Sequence, residues 1–231
     1  MKQTKIDWCD CTVNPVVGCK NGCKYCYGEK INCRFHIIKN WRQPEYFADR
    51  LKQFDSKKPK SVFIDSMSDI GCWQQQWFDE VMAKIAANPQ HRYIALTKCL
   101  NELEKREVVR FIKTGSIRPS SLFIGVSVTN NVPFAVQPLG VDFLSVEPLL
   151  EAVDIIPYID QLLELVIIGA ETGNRKGKVI PQKEWVDRIV ESADIYGIKV
   201  FMKESLRKIM GDDFRQDTLP WEVRNEKSHK C

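Results

Sequence analysis

Residues 165–202 read LVIIGAETGNRKGKVIPQKEWVDRIVESADIYGIKVFM and hold one complete strand–helix–strand unit. Leu165–Gly169 and Lys199–Met202 are compact apolar runs, as strands covered on both faces tend to be. Between them Trp185, Ile189 and Ala193 recur every four residues and fall on one stripe of a helix over Lys183–Tyr196, with Gly197 as its stop. Two strands joined through a helix in this way lie parallel in one sheet.

The same grammar extends upstream. Ser61–Asp65, Arg92–Thr97, Leu122–Val128 and Val141–Val146 are further strand candidates, each short and rich in Val, Ile, Leu or Phe. Trp77, Val81 and Ile85 mark a helix over Gln75–Ala87, closed by Asn88–Pro89. Glu45–Phe54 and Asn101–Lys113 read as two more helices, and Val13–Val17 as a strand leading into a cysteine-rich loop, although Pro15 counts against a central position. A strand–helix period of about 25–35 residues in a chain of 231 predicts an α/β protein built as a partial, open parallel (β/α)6-type barrel. The barrel is expected over residues 1–210 as a single domain, with a polar tail from 211 to 231.

Composition removes several classes. With 44% apolar and 28% charged residues the chain is neither disordered nor fibrous. Lys plus Arg exceeds Asp plus Glu by 34 to 30, too small a surplus to argue for nucleic acid by itself. No apolar run approaches the roughly 18 residues of a membrane span. The opening MKQTKIDWCDC carries no apolar secretory segment, so a cytoplasmic location without membrane attachment is expected. The six tryptophans read as packing residues rather than base-stacking platforms.

The cysteines carry the chemistry. Six of nine lie within the first 33 residues, and Cys19, Cys23 and Cys26 are spaced C-x3-C-x2-C in GCKNGCKYCYGEK. Clustering of this kind, with an odd total, points to a metal rather than a disulfide framework. Three thiolates can hold three irons of a cubane and leave the fourth open, whereas an electron-transfer cluster uses four cysteines. Gly18 and Gly22 let the loop curl, and Lys20 and Lys24 favour thiolate. The other reading is a structural zinc site whose fourth ligand is Cys9, Cys11, Cys33 or His36. Cys9 and Cys11 read as small buried thiols, and Cys33, Cys72, Cys99 and Cys231 as non-ligands.

Ligands of parallel α/β folds sit at the carboxyl ends of the strands. There this chain places Ser66, Ser68 and Asp69, then Thr97 and Lys98, Ser127 and Thr129, Glu147, Glu171 and Thr172, and Lys203 with Glu204. Two carboxylates and two lysines on one mouth could take the amino and carboxylate groups of a zwitterion. Glu171 and Lys203 are the candidates for proton transfer.

The C-x3-C-x2-C loop with an aromatic before its last cysteine resembles the signature of the radical S-adenosylmethionine (SAM) superfamily. The stretches TKIDWCDCTVNPVVGC, GCKYCYGEK, VFIDSMSD, IALTK, LFIGVSVTNN, FLSVEPLL, LVIIGAETG and VFMKESL, spread over residues 4–206, resemble an uncharacterised family of phages and bacteria often described as phage-type three-cysteine proteins. The resemblance implies a [4Fe-4S] cluster on Cys19, Cys23 and Cys26, with SAM chelating the open iron. It implies Tyr25 at the adenine, Ser66, Ser68 and Asp69 at the methionine amino group, and Ser127, Glu147 and Glu171 at ribose, methionine or substrate. The usual Gly-Gly-Glu is replaced here by SMSD. The implied chemistry is one-electron reductive cleavage of SAM to methionine and a 5′-deoxyadenosyl radical that abstracts a substrate hydrogen. A flavodoxin or ferredoxin would supply the electron. A loose similarity to spore photoproduct lyase and the phage association imply a nucleic acid or nucleotide as substrate. The competing expectation is a non-catalytic nucleic-acid-binding or interaction module holding a structural zinc or iron–sulfur site.

Overall fold

In the computed structural model the described residues are 2–99, 119–131 and 140–222. Among the described residues ten strands are formed: β1 Lys2–Gln3, β2 Cys11–Thr12, β3 Val16–Val17, β4 Glu45–Tyr46, β5 Ser61–Phe63, β6 Arg92–Thr97, β7 Leu122–Ser127, β8 Phe143–Val146, β9 Leu165–Ile168 and β10 Lys199–Met202. Hydrogen bonding orders the main sheet β1-β2-β5-β6-β7-β8-β9-β10, while β3 and β4 pair separately and antiparallel. From β2 through β10 all neighbours of the main sheet run parallel, so seven parallel strands curl into a half-barrel of α/β type.

All six strands expected from apolar runs are present, some shorter by one or two residues. The expected strand Val13–Val17 divides: Cys11–Thr12 joins the main sheet beside β5, and Val16–Val17 turns away to pair with Glu45–Tyr46. That pairing corrects the helix expected over Glu45–Phe54. Its first two residues are extended, and only Ala48–Asp55 is helical, as a 3-10 helix. The helices expected over Gln75–Ala87 and Lys183–Tyr196 appear as α2 (Gln75–Ala86) and α3 (Lys183–Ile195). A helix not anticipated, α1, spans Tyr27–Phe35. The helix expected over Asn101–Lys113 lies outside the described residues.

Alternation along the strands explains the layering. Val62, Tyr93, Ala95, Leu122 and Ile124 pack with Phe78, Val81, Met82 and Ile85 of α2. Leu144, Val146, Val166, Ile168, Val200 and Met202 pack with Val186, Ile189 and Ala193 of α3. The residues between them (Phe63, Ile94, Phe143, Leu165, Ile167 and Phe201) face the other way and gather around Trp8 and Trp221. A period of two thus builds a helix-facing core and a concave core from the same strands.

The concave core draws on residues read from sequence as the start of a polar tail. Trp221 is fully buried, its ring centroid lies 4.8 Å from Phe143 and 5.5 Å from Phe123, and its indole N–H donates to Trp8 O at 2.7 Å. Residues 215–217 run beside β10, with Asp217 accepting from the Val200 N–H at 2.9 Å. A barrel without its full complement of strands leaves its interior open, and this segment fills it.

Deleting a buried indole removes both transfer free energy and packing. Trp221→Ala is therefore expected to lower unfolding stability by about 3–5 kcal/mol, measured by urea denaturation at unchanged m-value. A loss below about 1 kcal/mol would show that residues beyond Gly211 are dispensable to the core.

Candidate functional site: a cysteine loop over the mouth of the half-barrel

The cysteine loop connects β3 to α1. Gly18 has φ +108°, and a Cβ there would lie 2.8 Å from Pro44 Cα and 2.9 Å from Trp41 O, so only glycine fits. From this point the Gly18 and Cys19 N–H groups donate to Met67 O and Trp41 O, both at 2.9 Å. Cys26 is the N-cap of α1, with its sulfur accepting the Glu29 N–H at 3.4 Å; the Cys19 sulfur accepts the Asn21 N–H at 3.5 Å. A helix N-terminus and N–H donors both favour sulfur in its thiolate form. Burial works against them and pushes the Cys26 thiol up, and the nearby Cys19 and Cys23 add to the rise. Three partly buried cysteines on one loop, two of them with sulfurs accepting backbone N–H groups, are the kind of set that iron–sulfur and zinc centres use. The donor chemistry therefore fits a metal group.

The loop roofs a cavity of about 350 Å³ at the carboxyl ends of the strands. Cys19, Cys23, Cys26, Tyr25, Ser66, Ser68, Asp69, Ser127, Glu147, Glu171 and Lys203 all line it. Strand order explains the gathering, because β5, β7, β8, β9 and β10 each end at this mouth. Cys9, Cys11, Cys33 and His36, the alternative fourth ligands for zinc, do not line it. Cys11, in β2, is fully buried in the core, Cys33 is exposed on α1 and borders an outer groove with Cys23 and Cys26, and burial holds the Cys9 thiol up at about 12.

The polar residues have distinct surroundings. Glu147 and Lys203 form an ion pair across β8 and β10. Glu171 is almost completely buried and takes a bidentate pair from Arg175 at 2.6 and 2.7 Å, which holds its carboxyl below the usual range. Such a carboxylate suits a fixed negative charge better than proton transfer near neutral pH. Ser66 Oγ donates to Asn14 Oδ1 at 3.0 Å, and Ser68 Oγ accepts the Trp73 indole N–H at 3.0 Å. The Tyr25 hydroxyl donates to Thr129 Oγ1 at 3.4 Å, and Lys98 Nζ sits 5.5 Å from the Tyr25 ring centroid. Burial lowers the Lys98 pKa, and the negative groups around it pull it back up.

Asp69 is held on all sides by the protein. Its Oδ1 accepts from Gly71 N (2.9 Å) and Thr97 Oγ1 (2.7 Å), and its Oδ2 from Asn21 Nδ2 (2.6 Å) and Lys98 N (2.9 Å). A carboxylate has about four acceptor positions, and here all four are spent on the protein. Asp69 fastens the cysteine loop, through Asn21, to the ends of β5 and β6. Nearby Asp65, not singled out from sequence, is buried with its pKa raised well above normal, chiefly by that burial and then by the Asp69 charge.

Cys72 and Cys99, read from sequence as non-ligands, also converge here. Their sulfurs are 2.9 Å apart, Cys99 donates to Asn21 Oδ1 at 2.9 Å, and Cys72 bonds the Cys19 sulfur. Twenty-seven residues separate them in the chain, and only the adjacency of β5 and β6 brings them together.

Asp69→Asn replaces one acceptor oxygen with a donor that faces two donors. A loss of about 2–4 kcal/mol is expected on unfolding, with a further drop in metal retained by the cysteine loop, read by elemental analysis. Unchanged stability would show that the four-donor cradle does not secure the loop. For Glu171 the folded carboxyl is depressed, so its contribution is complete above the ordinary value of 4.5 and disappears as pH falls through the lowered one. Acid titrations should show that component in the wild type and lose it in Arg175→Ala.

No curated protein and no solved structure matches the chain. Residues 3–213 match the family described as "Protein of unknown function (DUF5131)", and the chain belongs to that family.

Proposed function

We propose that the protein is a radical SAM-type enzyme in which Cys19, Cys23 and Cys26 hold a [4Fe-4S] cluster with one iron left for SAM. The supporting observation is that these three are the cysteines lining the cavity among the described residues, so a cluster on them would border space that a ligand could enter. When bound, cluster and SAM supply a one-electron reductive cleavage that yields a 5′-deoxyadenosyl radical.

The chain's own part is binding, orientation and exclusion of water. Tyr25, anchored on Thr129, offers a flat face for an adenine. Ser66, Ser68 and Ser127 offer hydroxyls to amino and ribose groups, while Lys98 supplies positive charge for a carboxylate. Asp69 positions the loop and does not itself touch the ligand. The Glu147–Lys203 pair stands at the mouth as donor and acceptor for substrate, and Lys203 is the group we assign to proton transfer. Trp8, Phe63 and Leu96 add an apolar wall that suits a nucleic-acid base or nucleotide and keeps water from a reactive intermediate. Behind the loop, Lys24, Lys30 and Arg42 border a groove that reaches Cys23 and Cys26, a basic surface for an acidic reductant such as flavodoxin or ferredoxin.

One observation favours a second reading. Cys72 touches Cys19, so a closed four-thiolate centre would make this a non-catalytic binding or interaction module. Anaerobic reconstitution with iron and sulfide, followed by SAM and dithionite, separates the two. The enzyme reading predicts release of 5′-deoxyadenosine, seen by chromatography, and its fall to background in Cys23→Ala. A fully loaded protein that releases none would support the closed centre.

A further inference from the structure

Cys72 and Cys99 stand outside the cavity that the proposed function uses. Asn21 and Asp69 line that cavity, whereas neither thiol does. The pair sits against the Asn21–Asp69 link, with Cys72 also bonding the Cys19 sulfur. Both thiols turn to the same acceptor, with Asn21 Oδ1 at 2.9 Å from the Cys99 sulfur and 3.6 Å from that of Cys72. One carboxylate oxygen of Asp69 and the two sulfurs lie within 4.8 Å of one another.

The backbone is built for this approach. A Cβ on Gly71 would lie 2.5 Å from Thr97 Oγ1, 2.7 Å from Cys99 Cβ and 2.8 Å from Cys99 O. No other residue lets the turn after β5 press so closely on the turn after β6. Thr97 Oγ1 holds the facing turn by accepting the Cys99 N–H at 2.8 Å. Two sulfurs directed at one amide oxygen beside a carboxylate form an S2O2 donor set, the mixed soft and hard set that suits zinc.

We propose that Cys72, Cys99, Asn21 Oδ1 and Asp69 form a second metal centre, a structural zinc site that clamps the cysteine loop to the ends of β5 and β6. Binding expels one proton from each thiol, so two thiolates neutralise the dication and no redox partner is required. Three of the four donors on Asp69, from Gly71, Thr97 and Lys98, stay in place. The fourth, the Asn21 amide, exchanges its hydrogen bond for the cation that both side chains then share. The site goes beyond the proposed function and does not depend on it.

The test uses the full chain carrying Cys19→Ala, Cys23→Ala and Cys26→Ala, which removes all three cluster ligands, including the sulfur that Cys72 bonds, and makes the result independent of the cluster. Cobalt(II) is titrated as the probe and then displaced with zinc. One equivalent per chain is expected, with thiolate-to-cobalt charge-transfer bands and the d–d absorption of a tetrahedral site, both abolished by adding Cys72→Ser and Cys99→Ser. If that combined variant does not fold, Asn21→Ala on the same background keeps both thiols, and a drop of about 10–100-fold in cobalt affinity is expected. Absence of charge-transfer bands in the background chain, binding unchanged by Asn21→Ala, or a Cys72–Cys99 disulfide in place of metal uptake would each overturn the proposal.

Discussion

The Asp69 carboxylate sits buried just beyond β5 and gathers donors from three separate stretches of chain: the cysteine loop, its own turn, and the end of β6. A buried charge with every acceptor position filled is worth far more than its separate bonds in water, because losing one donor leaves the charge partly unsolvated. Through Asn21 this one group decides where the cysteine loop rests on the barrel. The position of Cys19, the cavity roof and the approach of Cys72 to Cys99 all follow from that anchor. Gly18 and Gly71 serve the same end, since each permits a close backbone approach that a side chain would forbid.

Much of the sheet was legible because parallel strands buried on both faces announce themselves as unbroken Val, Ile and Phe runs. LVIIG and KVFM became β9 and β10 for that reason. Helix α1 was not legible. Its sequence YGEKINCRF has no apolar stripe, it buries Gly28 and Asn32, and it is capped by a cysteine in place of the usual Ser, Thr or Asp. Glu45–Phe54 misled in the opposite direction. Its composition suits a helix, but Glu45 and Tyr46 are claimed by pairing with β3, a long-range contact that local propensity cannot register. Trp221 was hidden by its polar neighbours, since one indole in a charged tail gives no periodic signal.

For the site, the contrast is between residues that mark themselves and residues that need the topology. Polar side chains at the ends of apolar runs were readable as mouth residues, because a parallel sheet sends every strand end to one rim. Their partnerships were not readable. The ion pairs Glu147–Lys203 and Glu171–Arg175 leave fewer uncommitted charges at the mouth than the sequence suggested, and the Asp69 oxygens accept four donors from the protein itself. Cys72 and Cys99 carried no motif at all, because their proximity is created entirely by the adjacency of β5 and β6.

A chemical claim about three sulfurs is tested most directly by looking at the metal they hold. Electron paramagnetic resonance of the anaerobically reconstituted, reduced protein, recorded with and without SAM, reports both the cluster type and access to its fourth iron. The account predicts the signal of a reduced [4Fe-4S] centre whose g-values shift when SAM is added. A signal indifferent to SAM in a fully loaded protein, or a colourless protein holding zinc on the cysteine loop, would contradict it.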